Sequence, residues 1–180
     1  MNSRNRYTLL ILSGVFIAPV LLAYLYLSQG WYQGGVTNKG TLLANTNYHT
    51  FNQANPAEQH WQLLTLLPSD CRQVCEDTLT AMQQTLLALG REQDRLVPVV
   101  FHEQQVDTKL EQHLSARRFE FEVANGATAT ALAPYNLVIV DPMGQWVMAY
   151  PLVEDKEQQI LQAKDVLADL RKLLKLSRIG

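Results

Sequence analysis

Cysteine is nearly absent from this chain, with Cys71 and Cys75 the only two among 180 residues. Any disulfide the chain makes within itself is a single bridge between them. Glycine and proline are also few, at nine and seven residues, too few for disorder to dominate. There is no excess of basic charge: 15 Lys and Arg stand against 17 Asp and Glu, a net charge of −2. No basic patch interleaves with aromatics, which argues against a nucleic-acid surface. A phosphate-binding glycine loop, an HExxH helix and an EF-hand loop are all missing. No repeat or low-complexity segment occurs.

One stretch lacks charge altogether. Thr8 to Ser28, TLLILSGVFIAPVLLAYLYLS, is apolar or neutral throughout. As a helix it spans about 30 Å, the thickness of a bilayer core. Tyr24, Tyr26, Trp31 and Tyr32 crowd its far end, as an interfacial aromatic belt does. Arg4 and Arg6 precede it and place the N-terminus inside by the positive-inside rule, so the rest of the chain lies outside the cytoplasm. A cleaved signal peptide is the competing reading, but no small-x-small cleavage pattern follows Ser28. Pro19 is tolerated within a membrane helix.

The remainder is organised around Trp61 to Gly90, WQLLTLLPSDCRQVCEDTLTAMQQTLLALG. Its apolar opening, stopped by Pro68, predicts a short buried strand over Trp61 to Leu67. Ser69 and Asp70 are good helix N-caps. Leu79, Met82, Leu86 and Leu87 fall at helical spacing, and Gly90 suits a C-cap. Cys71 and Cys75 lie four apart, so a helix puts both sulfurs on one face. With Asp70 as cap, Cys71 sits in the first turn, where unpaired N–H groups and the helix dipole favour a thiolate. A thiolate attacks disulfides and binds soft metals. A structural disulfide, or a pair of small buried hydrophobes, is the alternative.

Gly30 to Pro56 reads as a linker, with extended pieces at Thr41–Leu43 and Tyr48–Phe51 that would add edge strands. His49 and His60 read as solvated. Beyond the cysteine helix, Arg95 to Phe101 predicts a strand with Pro98 at its margin, and Val106 to Ala116 a short helix. Phe119 to Val123 alternates as a half-buried strand, and Ala124 to Ala133 carries no clear signal. Asn136 to Val140 and Gln145 to Tyr150 form a hairpin about Asp141-Pro142-Met143-Gly144. Asp141 is a turn residue in this reading, and Trp61 and Trp146 are core or sheet-face residues. Asp155 to Leu176 is a final helix. Its apolar face is Ile160, Leu161, Leu167, Leu170, Leu173 and Leu174, and its basic end a solvated terminus. The order strand, cysteine helix, strand, helix, hairpin, helix is that of an α/β thioredoxin-like domain. Its central mixed sheet is flanked by helices, with the cysteines at the carboxyl end of the first core strand. The expected division is a membrane anchor over 1–29, linker and edge strands over 30–56, and the thioredoxin-like domain over 57–180.

With CRQVC at its first helix, that order resembles the SCO/SenC family of the thioredoxin-like superfamily. Three stretches, GVTNKGTLL (Gly35 to Leu43), NLVIVDPMGQWVMAYP (Asn136 to Pro151) and DLRKLLKLSRIG (Asp169 to Gly180), resemble small proteobacterial membrane proteins encoded with cytochrome c oxidase genes. The resemblance implies an inner-membrane protein with its soluble domain in the periplasm. It implies a thiol-redox or copper-handling role in oxidase assembly, with an oxidase subunit or another assembly factor as partner. Cys71 and Cys75 match the SCO thiols and become the site residues and candidate Cu(I) ligands. The histidine that SCO proteins carry before the Asp-Pro turn is missing from Thr128 to Val140, and Glu76 replaces the proline after the second cysteine. A third ligand would have to come from elsewhere, from His102 or Met143, which read more simply as a strand-end histidine and a turn methionine. Pro134 precedes its strand as a cis-proline facing the cysteines or, the favoured reading, an ordinary trans loop proline. A non-catalytic interaction module with a static bridge, scaffolding a respiratory complex, is the other reading of the same residues.

The helix-start argument has a direct check. Cys71, left alone in Cys75→Ser, is expected to alkylate faster than an unperturbed cysteine and faster than Cys75 left alone in Cys71→Ser. Free-cysteine rates for both variants would show that the helix start does nothing.

Overall fold

The computed structural model describes residues 3–29, 37–68, 73–103 and 118–180. It divides into two compact units, Met1–Thr37 and Asn38–Gly180. The first contains helix α1, Ser3–Ser28, with Pro19 inside it. Within it, Tyr7–Ser28 is long and apolar enough to cross a membrane.

The second unit is built on a sheet, six-stranded among the described residues, in the order β1-β6-β5-β2-β3-β4. Strand β2 (Trp61–Leu67) lies inside it, parallel to β3 (Leu96–His102) and antiparallel to β5 (Tyr135–Val140). All its residues but Leu66 are buried, which is why it reads as a continuous apolar run. Strand β4 (Glu120–Val123) runs parallel to β3, and β6 (Trp146–Pro151) is the hairpin partner of β5. The two-residue strand β1 (Thr41–Leu42) closes the other edge against β6. The ladder to β4 begins only at Val99, so Pro98 lies where β3 has one partner, and a missing donor is tolerated there.

Each face of the sheet is covered. On one side, helix α2 (Gln73–Ala88) and helix α4 (Lys156–Leu176) pack Leu79, Met82, Leu86, Val166, Leu170 and Leu174 onto Leu63, Val100, Leu137, Ile139 and Met148. On the other, helix α3 (Gly126–Leu132) and a 3-10 turn (Tyr48–Phe51) cover Leu64, Val99, Phe101, Val138 and Trp146. These are the layers of a thioredoxin-like fold.

Several expectations change. Leu87, Ile160 and Leu161 are exposed, so both helices bury a narrower stripe than their leucine content implies. Helix α4 instead buries Gln159, Gln162 and Asp169. Tyr48–Phe51 is a 3-10 turn capped by Asn47 rather than a strand. Helix α3 fills the stretch without a signal, and Asn125 caps it by accepting from the Thr128 N–H. The region Val106 to Ala116, expected to be helical, lies outside the described residues. The described peptide bonds are trans, Pro134 included, as favoured. Gly90 has φ of +61° and follows the last turn of α2, the position of a C-cap glycine.

A buried carboxylate ties the chain before β1 to helix α4. Asp169, 1% exposed, accepts from the N–H groups of Lys39 at 2.7 Å and Gly40 at 3.0 Å, and from the Tyr150 hydroxyl at 3.0 Å. Gly40 makes this possible. A Cβ there would lie 2.5 Å from Met148 Cγ and 2.8 Å from Tyr150 Cζ. At the C-terminal end of α4, the Arg95 guanidinium donates to the carbonyls of Leu174, Ser177, Ile179 and Gly180.

Gly40→Ala is therefore expected to cost about 1–3 kcal/mol by overpacking, read as a lower urea midpoint with an unchanged slope. Alkaline pH is the second lever. Burial, and for Tyr150 the Asp169 charge as well, pushes the Tyr48 and Tyr150 hydroxyls well above their ordinary value near 10. Folding thus favours the protonated phenols. Their contribution is complete below about pH 10 and is lost as pH rises beyond it. A melting series from pH 8 to 12 is expected to fall steeply only above about 10, and less steeply in Tyr150→Phe.

Candidate functional site

The carboxyl end of β2 makes the site. Leu67 and Pro68 end the strand, and the chain returns as α2. Ser69, Asp70, Cys71 and Arg72 lie outside the described residues, so the predicted cap and the first cysteine are not described. Cys75 is in the first turn of the described helix. It is 6% exposed and disulfide-bonded.

Cys75 lines an open groove of about 560 Å³. Leu66, Leu67, Pro68, Val74 and Leu152 supply apolar walls, and Glu154 the acidic group. Val74 and Leu152 are 37% and 56% exposed, so the rim presents apolar surface to solvent. The remaining lining is polar and buried: Thr65, Thr78 and Asn136, none more than 6% exposed. These three are bonded to one another. The Thr65 hydroxyl donates to the Asn136 carbonyl at 2.9 Å, and the Thr78 hydroxyl lies 3.1 Å from Asn136 Oδ1 and 3.0 Å from the Val74 carbonyl. Asn136 Nδ2 donates to Gln162 Oε1 at 2.7 Å, and Gln162 Nε2 to the Pro151 carbonyl at 2.7 Å.

The two candidate third ligands are separated by the sheet. His102 ends β3 in register with Leu67, at the end of the sheet where α2 begins. Met143 does not join it. Val140, just before the Met143 turn, pairs with Gln62 near the other end of β2, about 17–20 Å away along a strand of this length. Met143 is 75% exposed there, in a turn whose Asp141 carboxylate accepts from the N–H groups of Met143 and Gln145. Asp141 is thus a turn residue, and Trp61 and Trp146 are buried in the two core layers. Among the described residues no group of three His, Cys, Asp or Glu side chains is arranged to hold a metal ion.

Sequence reasoning found the strand that leads to Cys75, but not the amide network beneath. Its one signal was polar residues in apolar patterns: Asn136 opening a β-branched run, and Gln162 between turns of an amphipathic helix.

Fold and groove define a thioredoxin-like domain whose cysteine segment follows the central strand. Residues 61–177 match the family described as "Transmembrane-like, thioredoxin-like, C-terminal domain", and the chain belongs to that family. Among solved structures, apo Sco1 from Thermus thermophilus is similar at 17% identity and a TM-score of 0.51, covering 78% of this chain and 99% of that one. The bacterioferritin comigratory protein of Xanthomonas campestris is similar at 15% identity and a TM-score of 0.51, covering 74% and 99%. Yeast Sco1 with copper bound has 15% identity and a TM-score of 0.49, covering 67% and 79%. No curated protein matches the sequence.

Proposed function

We propose that this chain is a single-pass, membrane-anchored thiol–disulfide exchange protein that acts in cytochrome c oxidase assembly. Cys71 and Cys75 cycle between dithiol and disulfide. The observation that carries the reading is the disulfide at Cys75 on the wall of an open groove. Cys71 is its partner, being the only other cysteine. The anchor is the apolar helix, and the positive-inside rule puts the domain on the periplasmic side of a bacterial inner membrane. Cys71, nearer the helix start, is the first thiol to react, and Cys75 resolves it. The oxidase is implied by the sequence resemblance to SCO/SenC proteins and to proteins encoded beside oxidase genes. The reaction is stoichiometric exchange with a partner and needs no catalysed turnover.

Copper handling is a second reading favoured by the same two sulfurs. Two thiolates suit Cu(I), a soft ion that accepts few ligands, and His102 at the same end of the sheet is the available nitrogen donor. A disulfide offers no thiolate, so copper would follow reduction.

Equilibration of the detergent-solubilised full chain with glutathione, read by thiol trapping, tests the proposal. A working pair is expected between about −180 and −270 mV. A potential below about −300 mV would mark a static bridge and leave an interaction module instead. The reduced protein is expected to take up one Cu(I) anaerobically against a chelator, to lose it in Cys71→Ser, and to hold Cu(II) poorly. No uptake leaves redox exchange alone.

A further inference from the structure

Strand β5 carries a bulge at Asn136. Tyr135 stands opposite Pro151 and Leu137 opposite Tyr150, which leaves Asn136 as an extra residue. Leu137 and Ile139 pack on the side of α2 and α4, whereas Tyr135, Val138 and Val140 pack on the side of α3. Plain alternation would send Asn136 to the α3 side with Val138. The bulge turns it to the α2 side, where it meets Thr78 and Gln162 and lines the groove with Cys75.

The orientation of its amide is settled by a carbonyl two residues away in the network. The Pro151 carbonyl can only accept, so Gln162 must present Nε2 to it and Oε1 to Asn136. Asn136 therefore donates from Nδ2 and turns Oδ1 to Thr78. An amide nitrogen has two N–H bonds. Gln162 takes one, and no other acceptor for Nδ2 is found among the described residues. That leaves a second N–H on a buried amide that lines the groove.

We propose that Asn136 is a specificity residue of this groove, its second N–H donating to a backbone carbonyl of an extended polypeptide that carries two thiols. The inference rests on the exchange reading above. The rest of the lining suits such an occupant: apolar walls at Val74, Leu67 and Leu152 for side chains beside the reacting cysteine, and Glu154 for a basic residue further on. One partner thiolate attacks Cys71, the Cys71–Cys75 bond breaks, and Cys75 leaves as a thiolate that takes up a proton. The second partner thiol then attacks the mixed disulfide. The partner ends as a disulfide, two electrons poorer, and this chain as a dithiol.

The test compares two reductants of the full-length oxidised chain in detergent: dithiothreitol, which has no peptide backbone, and a synthetic dithiol peptide with leucine and lysine beside its cysteines. Asn136→Leu is expected to weaken peptide saturation, lowering the second-order rate about tenfold, the effect of one lost hydrogen bond in a buried site. The dithiothreitol rate, which uses no backbone contact, is expected to fall clearly less. Asn136→Asp keeps an acceptor for Thr78 but loses the donor, and is expected to repeat the peptide defect. Gln162→Met breaks the amide pair yet keeps Asn136, and is expected to lose less. Equal losses with both reductants, or a Gln162→Met defect as large as that of Asn136→Leu, would mean that Asn136 only holds the fold, and would overturn the proposal. A wild-type chain that neither reductant reduces would instead overturn the exchange reading itself.

Discussion

Everything at the site depends on β2 being paired on both sides. A strand between a parallel and an antiparallel neighbour has its backbone groups committed and both faces buried, so it cannot slide. Its carboxyl end is then a fixed point. Pro68 ends the ladder there, and the chain must turn into α2 within a few residues. The cysteine segment follows a strand paired on both sides, while part of the groove wall comes from outside the sheet. Leu152 and Glu154 lie between β6 and α4, and Val74 is on the outer face of the first turn of α2.

The amide network gives that junction a second attachment. Thr78 belongs to α2, Asn136 to β5, Gln162 to α4 and the accepting carbonyl to β6, so one run of hydrogen bonds joins the cysteine helix to three other elements. Each member has at least one partner in the run, and losing it would cost about 1–3 kcal/mol for a buried polar group. Asp169 does similar work at a distance, holding Lys39 and Gly40 against α4. It also brings together two of the sequence stretches that carried the family resemblance, which are 130 residues apart at their bonded positions.

The strands were legible because their signal is local. Trp61 to Leu67, Asn136 to Val140 and the Asp-Pro-Met-Gly turn each announce themselves within a few residues. The helices were legible in extent and less so in facing. Leu87, Ile160 and Leu161 match the helical period yet point to solvent, because the sheet accepts only a narrow stripe from each helix. The facing of Asn136 could not be read from sequence. Its facing depends on one extra residue in β5, a register fact created by pairing with β6. Helix α3 escaped notice because GATATAL is mostly Ala, Thr and Gly, with little amphipathic contrast, and its capping Asn125 was the one usable sign. Of the two cysteines, the structure places Cys75 in the first turn of α2, after the strand that the sequence predicts.

On the proposed exchange reading the two cysteines divide the labour: Cys71 receives the partner and Cys75 releases it. Trapping tests this most directly. Full-length Cys75→Ser, reduced and mixed with an oxidised peptide disulfide, should accumulate a stable mixed disulfide through Cys71 that mass spectrometry assigns to that residue. The wild-type chain should pass through the same species and clear it. Accumulation through Cys75 in Cys71→Ser instead, or no adduct from either variant, would contradict the claim.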